Sequence, residues 1–391
     1  MLIVISFGRS LHNCMLRTLP VFVKRSLCTS ISKKTLLDLS RGDHIYATSL
    51  PKIHLPLAFV NLLNEKLCKL NGPLQYIKAA NNIVNSFKNN DLKASYSATS
   101  FDSFSYTLAR VAANYAAARR VLNEISAVYN FTPTSVLDFG SGSGSAALAA
   151  KETWPSISEL YLCDTSTHFT DITSELFSHI KGAYHRNNLP KNQSTHDIVI
   201  STYTFSSMTL NRALQTIDQL WGRTRNYLVL VEPGYSDAFK LLLSLRERLA
   251  SKAFLVAPCP HTLECPLIKF KDAFRIKSCH SKISYVQPSL LNSNNIKVIG
   301  SDIEKISYMI WSKYPHESTL PRLVFPVMKR NRHVICKACC ADGDIGTFTF
   351  SKSKHHHIYS CVRHAKLGER IPFSIEVDKS DEGNIHLGNE Q

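Results

Sequence analysis

The stretch Val136–Gly144, VLDFGSGSG, decides the fold. An apolar run with the composition of a short buried strand reaches a carboxylate at Asp138. It then turns through Gly140, Gly142 and Gly144 into a small-residue, helix-forming run that begins near Ser145. Glycine at every second position gives the turn backbone conformations closed to other residues. It also lets the main chain press directly against a ligand.

The spacing narrows the ligand. A dinucleotide fingerprint places its third glycine three residues after the second, whereas G-x-G-x-G is the spacing of class I methyltransferases. The next apolar run, ELYLC, is followed by Asp164, where a carboxylate can accept both ribose hydroxyls of an adenosyl group. Loop and carboxylate together predict a pocket for S-adenosyl-L-methionine. Gly140, Gly142 and Gly144 would form its cradle, Asp138 would orient the loop and meet the methionyl ammonium, and Asp164 would hold the ribose. The plain alternatives are a helix-capping carboxylate at Asp138 and an ordinary strand-end turn residue at Asp164.

Outward from the loop, SVLDF, ELYLCD, HDIVIST and YLVLVEPG read as strands alternating with helical stretches, which predicts an α/β, Rossmann-like methyltransferase domain over 132–313 with a parallel sheet. KAFLVAP and EKISYMIWSK close the same sheet, with a cysteine-rich insertion at 259–300 in their connection. Upstream, residues 35–131 carry apolar side chains at three- and four-residue spacing and form a helical N-terminal region. Its Arg110, Arg119 and Arg120 are expected on a solvated face, or against phosphates. Downstream, HVICKACC and GTFTFSKS predict a basic β-rich C-terminal module at 314–378. A disordered polar tail follows at 379–391.

The chain has 391 residues, with 46 Lys+Arg against 30 Asp+Glu and a formal charge of +16. Residues 1–34 contain Arg9, Arg17, Lys24, Arg25, Lys33 and Lys34 and no acid, as a mitochondrial presequence does. Arg9 and Arg17 interrupt its apolar runs, which makes it too short and too broken to span a bilayer. The expected location is the mitochondrial matrix. The remainder is still basic, and residues 313–370 hold 11 Lys+Arg and 4 Asp+Glu. Such an excess favours polyanions, and the C-terminal module is the candidate RNA contact. Adjacent imidazoles at His355, His356 and His357 cannot converge on one ion from a strand and read as a protonatable surface.

Eleven cysteines, an odd count in a reducing compartment, do not suggest disulfides. Cys259-Pro260-His261, Cys265-Pro266 and Cys279-His280 lie in the insertion, and Cys336, Cys339 and Cys340 lie in the module. Four thiolates can hold zinc or an iron–sulfur cluster. Spacing predicts a metal, but it leaves the metal's identity and the fourth ligand open.

Catalysis has no comparable signature. Amino and base methylases commonly carry an (N/D)-P-P-(Y/F) motif after the fourth strand, where this chain reads STYTFSSM, and no cysteine stands there to attack a pyrimidine. Asp197 and Glu232 have no neighbour in sequence that marks either as a general base.

YTLARVAANYAAARRVL, VLDFGSGSG, LVLVEPG, APCPHTLECPL, CHS, EKISYMIWSK and HVICKAC followed by FSKS occur in this order between Tyr106 and Ser353. In these elements the chain resembles the mitochondrial methyltransferase-like protein 17 family. The resemblance implies a factor that binds the ribosomal RNA and proteins of the assembling mitochondrial small ribosomal subunit, with a retained donor pocket and lost methylase activity. It also implies a 4Fe-4S cluster on Cys259, Cys265, Cys279 and Cys339. The sequence departs from the family at Ser278 and Ser281, where aromatic residues usually flank the cysteine-histidine step. Two other functions compete: an active ribosomal RNA methyltransferase and a zinc-dependent RNA-binding module.

Overall fold

A computed structural model describes residues 51–89, 98–127, 129–189, 194–269, 278–288, 290, 303–316 and 320–371. The expected presequence, the polar tail and part of the cysteine-rich insertion lie outside the described residues.

Runs of branched and aromatic side chains form β1 (Ser135–Phe139), β2 (Glu159–Cys163), β4 (His196–Thr202), β5 (Thr224–Pro233), β6 (Phe254–Ala257) and β8 (Ile303–Ser312). Two further strands, β3 (Ala183–Arg186) and β7 (Ser281–Ser284), complete one sheet. Its order is β3-β2-β1-β4-β5-β8-β6, with β7 paired to β8. β1 to β5 run parallel, whereas β8 lies antiparallel between β5 and β6. This is the strand order of the class I methyltransferase fold. It corrects the expectation of a parallel sheet at one strand. The only helix described between β6 and β8 is the four-residue α8 (Pro266–Lys269), too short to carry the chain back across the sheet as a parallel return requires.

β6 and β7 meet the same edge of β8, one after the other. Phe254 lies opposite Ser312, and Ser281 lies opposite Ile306. The described parts of the insertion are thereby held at the sheet margin, beside the end of β6.

Period-two alternation divides the sheet between two cores. Val136, Ile198, Ile200, Val229 and Val231 face the helices α1 (Leu57–Lys69), α2 (Pro73–Lys88), α3 (Ser100–Ser126), α4 (Ser145–Thr153) and α5 (Thr167–Leu176). Leu137, Val199, Leu228, Leu230, Met309 and Trp311 face α6 (Leu210–Arg223) and α7 (Ser236–Leu249). The side chain of Thr99 caps α3 by accepting the Asp102 N–H at 3.0 Å.

α3 is buried almost all round, because the sheet and α4 cover one side and α2 the other. That burial overturns the solvated face expected for its arginines. Arg110 is a buried partner of Glu304, at 3.1 and 2.7 Å, and Arg120 a buried partner of Glu124 at 3.0 Å. Arg119 is half-buried and donates to Thr153 Oγ1.

The C-terminal residues form a second, antiparallel sheet. β9 (Arg322–Leu323), β10 (Met328–Lys329), β11 (His333–Cys339) and β12 (Ile345–Ser351) are covered by α9 (His356–His364). The three histidines lie at the start of α9, not on a strand. His355 Nδ1 accepts the Ser351 N–H at 3.0 Å, and its ring meets Phe350 edge-on.

Candidate functional site

In an open α/β sheet a ligand binds beyond the carboxyl ends of the strands, where the strand order reverses. Here that point is β1, flanked by β2 and β4, and the glycine loop springs from its end. A cavity of about 880 Å³ opens there, lined by Gly140, Gly142, Asp164, Asn187, Tyr203 and Arg212 among others. The backbone is left-handed at Gly140, Gly142 and Gly144. A Cβ on Gly140 would sit 2.1 Å from Thr204 Oγ1, whereas one on Gly142 would meet nothing within 4 Å. Gly140 is therefore closed by protein, and Gly142 faces open space.

The two predicted carboxylates occupy different places. Asp164 lines the cavity, accepting the Gly142 N–H at 2.8 Å and the Ser166 N–H at 2.9 Å. Burial raises its pKa, and these two donors oppose the rise. Asp138 is fully buried behind the loop, and its Oδ2 accepts the Ala147 N–H at 2.9 Å, in the first turn of α4. Burial and the neighbouring Asp164 push its pKa up to about 7. The capping role foreseen as its plain alternative is the one its hydrogen bond performs.

Two cavity features had no sequence signal strong enough to find. Arg110 stacks over Phe87 at 4.1 Å and over Tyr203 at 5.2 Å, while the Tyr203 hydroxyl donates to Glu304 Oε1 at 3.0 Å. Tyr106 and Asn114 of α3 line the same side. Fully buried Glu232 then fixes the segment after β4, accepting from the N–H groups of Thr204, Phe205 and Ser206 and from the Ser206 hydroxyl. Asp197 sits at the opposite end of β4. It accepts from Thr134 and Ser135 and pairs with Arg225 at 2.6 Å.

The connection between β6 and β8 supplies three of the four predicted thiols, and β11 supplies the other. Cys259 lies close enough to Cys265, Cys279 and Cys339 for its charge to raise the pKa of each, in addition to the larger effect of burial. Cys265 is pushed to about 11. Arg246 of α7 and Arg322 of β9 pull the Cys259 thiol the other way, and Arg246 donates to the His261 carbonyl two residues on, at 3.0 Å. His261 Nε2 lies 3.2 Å from Cys339 Sγ.

The alternation of β11 separates the candidates for the fourth thiol. Val334, Cys336, Ala338 and Cys340 enter the core of the C-terminal module, leaving Cys339 on the other face. Cys336 is raised to about 12 by burial alone, and the Cys340 thiol donates to the Ala338 carbonyl. Among the described residues, no three His, Cys, Asp or Glu side chains form a cage for a single metal ion.

The two serines that depart from the family pattern have defined partners. Ser278 donates to the Gly234 carbonyl at 2.9 Å. Ser281 packs where a Cβ on Gly368 would lie 2.1 Å from its hydroxyl, so the close approach of the module leaves no room there for a ring.

A family model described as mitochondrial small ribosomal subunit Rsm22 matches residues 100–372. The chain belongs to the Rsm22 family. It is 29% identical over 292 residues to the human ribosome assembly protein METTL17, mitochondrial, a match covering 68% of this chain and 62% of the human protein. It is 24% identical over 295 residues to the Rsm22-cox11 tandem protein 2, mitochondrial, of Schizosaccharomyces pombe, covering 63% of this chain and 39% of that one. The chain thus spans less than two thirds of the length of these relatives.

Among solved structures, the magnesium protoporphyrin IX methyltransferase of Synechocystis with bound SAH overlaps 60% of this chain and 100% of its own. The identity is 11% and the TM-score 0.37. The N-methyltransferase NodS of Bradyrhizobium japonicum, also with SAH, overlaps 59% and 98% at 8% identity and a TM-score of 0.36. The strand order, not these partial overlaps, defines the fold of the Rsm22 chain.

Proposed function

We propose that this Rsm22-family chain is an assembly factor of the mitochondrial small ribosomal subunit. In this reading it acts in the matrix, binds ribosomal RNA through its basic C-terminal module, keeps a pocket for S-adenosylmethionine, and transfers no methyl group. The observation that carries the reading is the state of the segment after β4. The backbone donors from Thr204 to Ser206 are taken by Glu232, and Tyr203 is tied to Glu304 and stacked under Arg110. Methyl transfer needs a positioned nucleophile in line with the methyl group. The residues that would orient one are engaged in holding the fold.

The donor itself suits the cavity. Gly142 leaves open space for it, and Asp164, on the cavity wall, has oxygens that can accept ribose hydroxyls beyond their present bonds. When bound, adenosylmethionine supplies an electrophilic methyl on sulfur. In this chain Phe87, Tyr106 and Tyr203 wall the adjoining space, with the Arg110–Glu304 pair packed against Phe87 and Tyr203.

A 4Fe-4S cluster suits the cysteine site by the chemistry of its donors. Four thiols come from two parts of the chain, within electrostatic reach of one another, as the donors of such a cluster are. Buried guanidinium groups beside them favour an anionic occupant. Cys259, Cys265, Cys279 and Cys339 would hold it, and bound there it would tie the insertion to the module.

Small-subunit precursors purified from mitochondria should contain this chain, and its absence from them overturns the assembly reading. In cells carrying Gly142→Arg, assembly should fail while ribosomal RNA methylation stays unchanged. A methylated nucleotide lost in that variant would establish a methyltransferase instead. Protein purified without oxygen should be brown, with about four irons per chain. A colourless zinc protein overturns the cluster.

A further inference from the structure

Buried positive charge accumulates beside the four thiols. Glu124, fully buried, receives three guanidinium groups: Arg120 at 3.0 Å, Arg322 at 2.8 Å and Arg370 at 3.1 Å. One carboxylate therefore faces three cations, each almost fully buried. Arg246 adds another. It is 4% exposed, and its guanidinium donates at 3.0 Å to the carbonyl of His261, whose ring nitrogen lies 3.2 Å from Cys339 Sγ. Asp342 and Asp344, the acids that face His261, are exposed to solvent.

Leaving an ion buried without a counter-charge costs several kcal/mol even after relaxation. Such an excess persists where something anionic completes the site. A four-thiolate group carries net negative charge whichever metal it holds, and hydrogen bonds and charge near the sulfurs set its potential.

We infer that Arg246 and Arg322 form a cationic seat for the metal–thiolate group, retaining it in the protein and raising its reduction potential. Arg246 reaches the group from α7 beside the Cys259–His261 loop. Arg322 reaches it from β9 while anchoring Glu124. In a one-electron reduction, the electron from the titrating reductant adds one negative charge to the cluster and breaks no bond. The guanidinium groups stabilise that added charge. The inference rests on the cluster reading for the potential, and on the four thiolates alone for retention.

Arg322 also holds Glu124, so its removal would report on folding. Arg246 is the position to test, as Arg246→Gln and Arg246→Lys in the full chain purified without oxygen. Arg246→Gln should load with iron, lose it to a chelator several-fold faster than wild type, and show a lower midpoint potential in a dithionite titration followed by electron paramagnetic resonance. Arg246→Lys, which keeps the charge, should recover most of both values. Unchanged loss rate and potential in Arg246→Gln overturn the seat, as does Arg246→Lys behaving like Arg246→Gln. If wild type holds zinc, the cluster reading falls and the seat is judged by whether Arg246→Gln releases zinc faster. If wild type holds no metal, both fall.

Discussion

Asp138 shows how one side chain acquires a pH dependence from its position. Its carboxyl group is raised to about 7 in the folded chain, so the fold favours the protonated form. The folded state then binds more protons than the unfolded state between the ordinary aspartate range and pH 7. Stability due to this group is therefore present at low pH, falls as the pH rises through that window, and levels off above it. Asp138→Asn removes the titration and keeps an acceptor for Ala147. Thermal melts without ligand should show a flatter profile for the variant between pH 4 and 7, with a relative gain at pH 8 on the order of 4 kcal/mol at most. Parallel profiles for the two proteins would contradict this. The loop glycines separate fold from ligand in a similar way. Gly140→Ala drives a methyl group into Thr204 and should give little soluble protein. Gly142→Ala meets no atom, should cost about 1–2 kcal/mol of backbone strain, and should lower adenosylmethionine affinity at least tenfold by calorimetry because its methyl group enters the cavity.

At the scale of elements, β11 makes a three-way distinction that residue identity does not. Cys339→Ser should abolish metal retention, measured as metal per chain, whereas Cys336→Ser and Cys340→Ser should keep it and lose only packing in the module core. Equal loss from all three would mean that the strand's two faces are not distinct in this respect. In sequence the three cysteines are equivalent, because alternation assigns faces only once the register is known. The same logic explains which strands could be read. β1, β2, β4 and β5 announce themselves as apolar runs. β3, AYHR, and β7, SKIS, are short edge pieces with alternating exposure and no such run. The buried arginines stayed hidden for another reason. Arg110 and Glu304 are 194 residues apart in sequence, and Arg322 and Glu124 are 198 apart. Arg246 left a trace: it lies four residues after Leu242 and three before Leu249, on the buried stripe of α7.

For the whole molecule, charge is segregated by depth. Among the described residues the buried Arg120, Arg246, Arg322 and Arg370 gather round Glu124 and the cysteines and Arg110 pairs with Glu304, while Lys329, Arg330, Arg332, Lys352 and Lys354 lie on the surface of the C-terminal module. The β10–β11 and β12–α9 turns are adjacent, since Lys352 N–H donates to the Arg332 carbonyl. If this surface binds the RNA, reversing the charge of Arg330, Arg332 and Lys352 together should weaken binding across unrelated RNA sequences. The slope of log affinity against log salt should become shallower by roughly 0.7 for each phosphate that the module no longer neutralises. Unchanged affinity and slope would place the RNA on another surface. Composition made the basic character legible, but only the fold showed which cations are used inside. The turn after β1 was legible from its glycine spacing, because left-handed backbone at Gly140, Gly142 and Gly144 restricts residue choice that strongly.

The fourth cysteine, Cys339, follows Cys279 by sixty residues and belongs to the C-terminal module. A chain made from its amino end displays three thiols long before it can display Cys339. Any nascent or truncated product that stops before β11 therefore carries an open, three-thiol site. If the four thiols together hold a metal, full retention requires that synthesis has run far enough for the module carrying Cys339 to dock.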